Sequence, residues 1–273
     1  MVINTKAFSI FRTGSKTFFT ASLFFPKKVR DDVFDLYAFV RMADNFVDVL
    51  PQKKAEYEQF KQDYYLALSG ERVSSEVINR FVTVQRNYNF EQSWVNAFFA
   101  SMDMDLNKKS YETLEDLLVY IYGSAEVIGL MMAKIMKLGQ ASYSSAQALG
   151  RAFQYMNMIR DINEDLTYGR TYLPQQEIES AGLKNLSKDE AISNPDKFNN
   201  FILRQTSLYK SWRQEAEKGF KYIPKRYRLP IQAAAESFDQ TIREIEKQPL
   251  IVYEEKIRSS RRKIIWSMIK QLI

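Results

Sequence analysis

SYSSAQALGRAFQYMNMIRDINEDL, running from Ser142 to Leu166, carries no proline and opens on serines suited to a helix N-cap. Its apolar residues recur every three or four positions, which predicts one long helix. Positions i, i+3, i+4 and i+7 of a helix share a face. Gln154, Asn157, Asp161 and Asp165 therefore form one stripe, with Gly150 a turn before, while Phe153, Met156, Ile159 and Ile162 cover the rest. An ordinary surface helix has one wet face and one apolar face. Here two aspartates are set into a helix otherwise built for burial.

The arrangement recurs far upstream in YAFVRMADNFVD, Tyr37 to Asp48. Tyr37, Arg41, Asp44 and Asp48 fall on one stripe, flanked by Val33, Phe34 and Val40, with Phe39, Ala43, Phe46 and Val47 toward the other side. If the two stripes face each other, four carboxylates share one cavity, where they repel and resist burial. Divalent cations are the simplest remedy, and Mg²⁺ uses a few carboxylates together with waters and substrate phosphates. The competing reading makes each pair a solvated helix face, with Arg41 and Arg160 as ordinary ion-pair partners. The residues alone leave both open.

Elsewhere nine Gly and seven Pro punctuate 273 residues, which favours long helices. Breaks are expected near Pro26, Pro51, Gly70, Lys108–Ser110, Gly139, Gly169–Pro174, Gly182, Pro195, Pro224–Pro230 and Pro249. Between them, segments such as TLEDLLVYIYGSAEVIGLMMAKIM have helical spacing. One all-α domain over residues 1–273 is expected. The C-terminal RSSRRKIIWSMIKQLI joins a basic cluster to an apolar, Trp-containing segment; it suits an amphipathic helix on an anionic membrane and equally a last core helix.

The chain has no Cys and no His. Disulfides, thiolate sites, Ser-His-Asp triads and His-based zinc sites are excluded, and any metal must take oxygen ligands. A general base must be a carboxylate, Tyr, Lys or the substrate itself. The net charge of +6 and pI near 9.2 fit an anionic partner. Nucleic acid is not expected, because the Lys and Arg residues are scattered except at the C-terminus. The amino terminus has no long apolar core, and no apolar run of about 18 residues occurs. A cytoplasmic protein, soluble or peripheral to the inner face of the membrane, is expected.

These residues resemble the squalene/phytoene synthase family. YAFVRMADNFVD is similar to its first aspartate motif, and RAFQYMNMIRDINEDLTYGRTYLP to its second. GSKTF, Gly14 to Phe18, resembles its N-terminal segment, VYIYGSAEVIGLMM its central helix, and YLPQQEIESAGL continues like phytoene synthases. The resemblance implies an all-α isoprenoid synthase fold with a central cavity that takes two prenyl diphosphates. The first would ionise against three Mg²⁺ ions, and the allylic cation would be attacked by the other substrate's double bond. A cyclopropyl diphosphate would result, then a second ionisation and rearrangement, with released diphosphate accepting the proton. By position, Asp44, Asp48, Asp161 and Asp165 would hold Mg²⁺ with help from Asn157. Arg41 and Arg160 would neutralise diphosphate or orient the carboxylates. Ser15, Lys16 and Thr17 would contact a diphosphate, with Tyr37 and Gln154 nearby. Arg170 and Tyr172 would belong to a flap, and Tyr122 and Phe18 would line the tail region.

Some positions depart from the family pattern. Asn45 stands where many members carry an acid, Glu126 interrupts a run of small apolar residues and would alter the cavity, and Phe238 replaces a Tyr seen in some members. Lys256 and Arg261 match only loosely. Two geranylgeranyl diphosphates giving phytoene is the expected reaction. The nearest alternative is a squalene, dehydrosqualene or hydroxysqualene synthase using farnesyl diphosphate, with NADPH needed only for squalene. A non-catalytic assembly protein of the same fold would have lost aspartates that this chain keeps.

Overall fold

The computed structural model describes residues 5–254, leaving out the side chains of Thr5, Lys16 and Thr17. The basic and apolar C-terminal segment, with Lys256 and Arg261, lies outside the described residues. Among those described the chain is helical, with one isolated bridge, Ser110 to Thr171. The first helices are α1 (Thr5–Gly14), α2 (Lys16–Ser22), α3 (Lys27–Asp48), α4 (Lys54–Ser69) and α5 (Glu76–Tyr88). Then come α6 (Gln92–Asn107), α7 (Leu114–Ile121), α8 (Val127–Ile135), α9 (Tyr143–Arg160) and α10 (Ile162–Thr167). The last are α11 (Gln175–Ser180), α12 (Lys188–Ser193), α13 (Pro195–Glu217) and α14 (Lys225–Lys247).

Local chemistry sets these bounds. Ser15, Ser75, Thr113 and Ser187 each accept a backbone N–H three residues on, closing the open donors at the starts of α2, α5, α7 and α12. Gly70 ends α4 at φ 109°, a left-handed value that suits glycine. Three details differ from expectation. The long helix from Ser142 breaks at Asp161, whose φ −96° and ψ 15° separate α9 from α10. Ser142 precedes α9, but its hydroxyl donates to the Gly139 carbonyl instead of capping the helix. Pro230 does not interrupt α14; it is buried within the second turn, where its missing N–H leaves one helical bond unmade.

The segment 114–135 is a continuous rod with a π-turn, Tyr122–Glu126, between α7 and α8. It packs closely on both sides. A Cβ at Gly129 would lie 2.3 Å from the Ala146 carbonyl oxygen, and one at Gly150 2.5 Å from that of Ala125. Backbones of α8, the π-turn and α9 can approach this far only at glycine. By length and composition Leu114–Ile135 could cross a membrane, with mean hydropathy 1.4. Half of it is buried, and it packs between α6 and α9 as a core helix.

Two apolar clusters build the core, one around Phe39, Phe81 and Phe98, the other around Tyr155, Phe198 and Ile242. Between them lies a cavity of about 870 Å³. Helices α3 and α9 run in the same sense along it. Their C-terminal ends bring the two acidic motifs to one end, and Phe25, Leu138, Phe220 and Ile223 line the other.

Candidate active site

Both aspartate stripes face the cavity. Tyr37, Arg41, Asp44 and Asp48 line it from α3, and Gln154, Asn157, Arg160, Asp161 and Asp165 from α9 and α10. Ser15, Phe18, Arg170 and Tyr172 also line it. The side chains of Lys16 and Thr17 are outside the described set.

The carboxylates feel one another. Burial, then Asp48, push the Asp44 carboxyl up to about 8 against the opposing effect of Arg41. Asp165 is also pushed up to about 8, by burial first, then by Asp161 and Glu164, with Asp48 adding across the cavity. The guanidinium of Arg160 donates to both oxygens of Asp161, at 2.8 and 2.5 Å, and so aligns that carboxylate. Arg41 acts on Asp44 through space, yet among the described residues no ion pair or hydrogen bond fixes its guanidinium. Gly14 sits so near that a Cβ there would fall 2.5 Å from the Tyr37 hydroxyl, which places the Ser15 turn against Tyr37 and Arg41. Ser15 Oγ accepts the Phe18 N–H at 3.3 Å, leaving its own proton to donate.

The flap after α10 is anchored by a buried network that sequence reasoning did not find. Arg170, 4% exposed, donates to Asp48 Oδ1 at 3.0 Å, the Val47 carbonyl at 2.6 Å and the Asp105 carbonyl at 3.3 Å. The Asp105 side chain, 3% exposed, accepts from Tyr172 at 2.7 Å and Tyr120 at 3.0 Å. Burial pushes the Asp105 carboxyl up to about 6, although both phenols and Arg170 oppose this. Thr171 N–H donates to the Lys109 carbonyl at 2.8 Å, which ties the flap to the loop before α7. A signal for Asp105 was available: Phe98, Met102 and Asp105 share one buried stripe of α6, the same pattern that marks the two motifs.

Two expectations are corrected. Tyr122 is not among the cavity-lining residues; it packs against the first apolar cluster, and Tyr120 supplies the phenol that lines the cavity. Glu126 does not line the cavity either: it is buried on the α9 side, accepting from Arg151 at 2.6 Å and Gln147 at 3.3 Å. Phe238 does line it, stacked on Phe153 at 4.2 Å and 5.4 Å from Phe18. Asn45 lies at the exposed rim.

Among the described residues no three acidic side chains are drawn together tightly enough to form a ready-made metal cage. The donor chemistry nonetheless fits a hard cation: the site offers carboxylate and amide oxygens, two of the carboxyls raised partly by their neighbours' charge. A pH dependence follows. Unfolded, Asp44 and Asp165 ionise near 3.8; folded, they keep their protons to about 8. Between these values the folded chain binds more protons, so their contribution to stability falls as pH rises and levels off above about 8. Thermal melts of metal-free protein should show this fall, and Asp44→Asn/Asp165→Asn should flatten it. An equal slope in the double variant would remove these two groups from the explanation.

The squalene/phytoene synthase model matches residues 11–268. A 15-cis-phytoene synthase from Paracoccus sp. is 29% identical over 258 residues, covering 91% of this chain and 84% of that protein. Phytoene synthase 1 of Arabidopsis thaliana is 30% identical over 248 residues, which cover 85% of this chain but only 57% of the longer plant protein. A dehydrosqualene synthase structure superposes with a TM-score of 0.85 at 22% identity, over 97% of this chain and 93% of that one. A squalene synthase from Alicyclobacillus acidocaldarius gives 0.79 at 22% identity, over 89% and 92%. These likenesses establish the isoprenoid synthase fold of squalene synthase type. With a helical bundle, two facing aspartate motifs and a family match along nearly its whole length, the chain belongs to the squalene/phytoene synthase family, the prenyltransferases that condense prenyl diphosphates head to head.

Proposed function

We propose that this chain joins two geranylgeranyl diphosphates into phytoene through a cyclopropyl diphosphate, with Mg²⁺ as cofactor and residues 1–273 acting as one domain. The observation that carries the reading is the convergence of two aspartate stripes at one end of an apolar cavity of about 870 Å³. The phytoene synthase names of relatives at 28–30% identity support the longer substrate.

Asp44, Asp48, Asn157, Asp161 and Asp165 are the oxygen donors for Mg²⁺, three ions being the expected loading. Bound Mg²⁺ supplies positive charge against which diphosphate leaves. The chain's own groups do the rest. Arg41, Tyr37 and Ser15 present donors to diphosphate oxygens, Arg160 aligns Asp161, and Gln154 sits in the substrate shell. Phe18, Phe153 and Phe238 offer ring faces to a carbocation and keep water from it. Burial holds the Tyr120 and Tyr172 phenols protonated. Release of an oily product favours peripheral contact with a membrane.

The test is a product assay. Protein with Mg²⁺ receives farnesyl or geranylgeranyl diphosphate, each with and without NADPH, and the organic extract is analysed. Phytoene from the longer substrate without NADPH is the expected result. A thirty-carbon product made only from the shorter one would move the chain to the squalene side. A folded protein giving no product from either would sink the synthase reading.

A further inference from the structure

Two turns close the apolar end of the cavity. Between α2 and α3, Leu23 and Phe24 are 43% and 49% exposed, while the next residue, Phe25, lines the cavity and meets the Tyr227 ring at 6.2 Å. In the 3-10 turn before α14, Tyr222 is 43% exposed between Phe220 and Ile223, which both line the cavity. Each turn thus holds the cavity wall with one side and presents large apolar groups outward with the other. Scattered exposed apolar residues need no explanation; grouped ones on a cavity wall mark an interaction surface.

The charges around these turns are one-sided. Lys27, Lys28, Lys218, Lys221, Lys225 and Arg226 are all exposed. Nearby acids are already engaged: Asp31 with Arg30, Asp32 with Lys28, Glu215 with Lys218 and Glu217 with Arg213. Among the described residues no ion pair neutralises Lys27, Lys221, Lys225 or Arg226. Apolar tips ringed by long cationic side chains suit the boundary of an anionic bilayer, where rings enter the acyl region and ammonium groups stay at the headgroups. Along α3 this end lies about 25 Å from Asp44 at 1.5 Å per residue, so the acidic end would stay in water.

We propose that the turns carrying Leu23, Phe24 and Tyr222 dock on a bilayer containing anionic lipid, and that the apolar product leaves the cavity at that end. The product-exit role rests on the synthase reading; the docking face does not.

Full-length protein is floated with phosphatidylcholine vesicles, with or without phosphatidylglycerol, at low and high salt. The wild type should float with the anionic vesicles and release in salt. Phe24→Asp/Tyr222→Asp should bind at least tenfold more weakly, and Lys221→Glu/Lys225→Glu/Arg226→Glu should lose the preference for anionic lipid. None of these residues lines the cavity, so both variants should keep wild-type turnover on detergent-dispersed substrate. Phe24→Trp emission should be quenched by lipid brominated near the glycerol backbone. Wild-type binding by both variants would place docking elsewhere, residues 255–273 included, and overturn the proposal. So would a wild type that floats with neither vesicle, or patch-dependent self-association in place of lipid binding. Intact docking with no product in detergent would uphold the docking face while sinking the synthase reading.

Discussion

Asp161→Asn should lower turnover about a thousandfold or more, the scale at which a well-placed electrostatic group acts, while far-UV circular dichroism stays unchanged. The backbone at this break between α9 and α10 does not depend on the side chain. Asp161 N–H donates to the Asn157 carbonyl at 2.8 Å, and its own carbonyl accepts the Asp165 N–H at 2.8 Å. Asn keeps the shape and removes the charge. The paired contact to Arg160 then loses its partner, leaving the guanidinium free to turn. Asp44→Asn should behave alike from the opposite helix. Single-turnover rates at saturating Mg²⁺ are the measurement, and near-normal rates in both variants would remove the metal assignment.

Arg170→Met should destabilise the fold by about 3–5 kcal/mol, the cost of removing one partner from a buried ionic network. Two of its nitrogens serve Asp48, Tyr172, Val47 and Asp105 together. Without them Asp105 remains buried with only its two phenols, and the flap loses its tie to α3. Lys brings one ammonium where two forked nitrogens are used, so Arg170→Lys should restore little. Adding Asp105→Asn to Arg170→Met should recover part of the loss, because the two groups belong to one network. Urea denaturation of the four proteins gives the comparison; equal midpoints for wild type and Arg170→Met would show that the network holds nothing.

The helical architecture and the facing aspartates were legible because helix periodicity is local: a stripe such as Tyr37, Arg41, Asp44 and Asp48 is visible in twelve residues. Asp105 was harder. Its partners Tyr120, Tyr172 and Arg170 come from other segments, and a lone acid on an apolar helix face resembles many surface acids until those partners arrive. The choice of Tyr122 over Tyr120 had a different cause. Both tyrosines suit a cavity wall, and which one faces it depends on how α7 is rotated against α6. Gly123 helps set that rotation, since a Cβ there would fall 2.0 Å from the Ala97 carbonyl oxygen.

The π-turn at Tyr122–Glu126 fits one more residue into its turn than an α-helix would. It therefore offsets the angular phase of everything after it. Tyr120 and Ser124 line the cavity before and within the turn, and Ile128, Gly129 and Met132 line it beyond. Deleting a single residue here would restore α geometry and swing the remainder of the rod by about 100°. Ile128 and Met132 would leave the cavity wall, and a bulkier side chain would meet the Ala146 carbonyl where Gly129 now fits. The length of this segment is thus as constrained as its composition: single-residue deletions should be rejected even where every substitution at the same position is accepted.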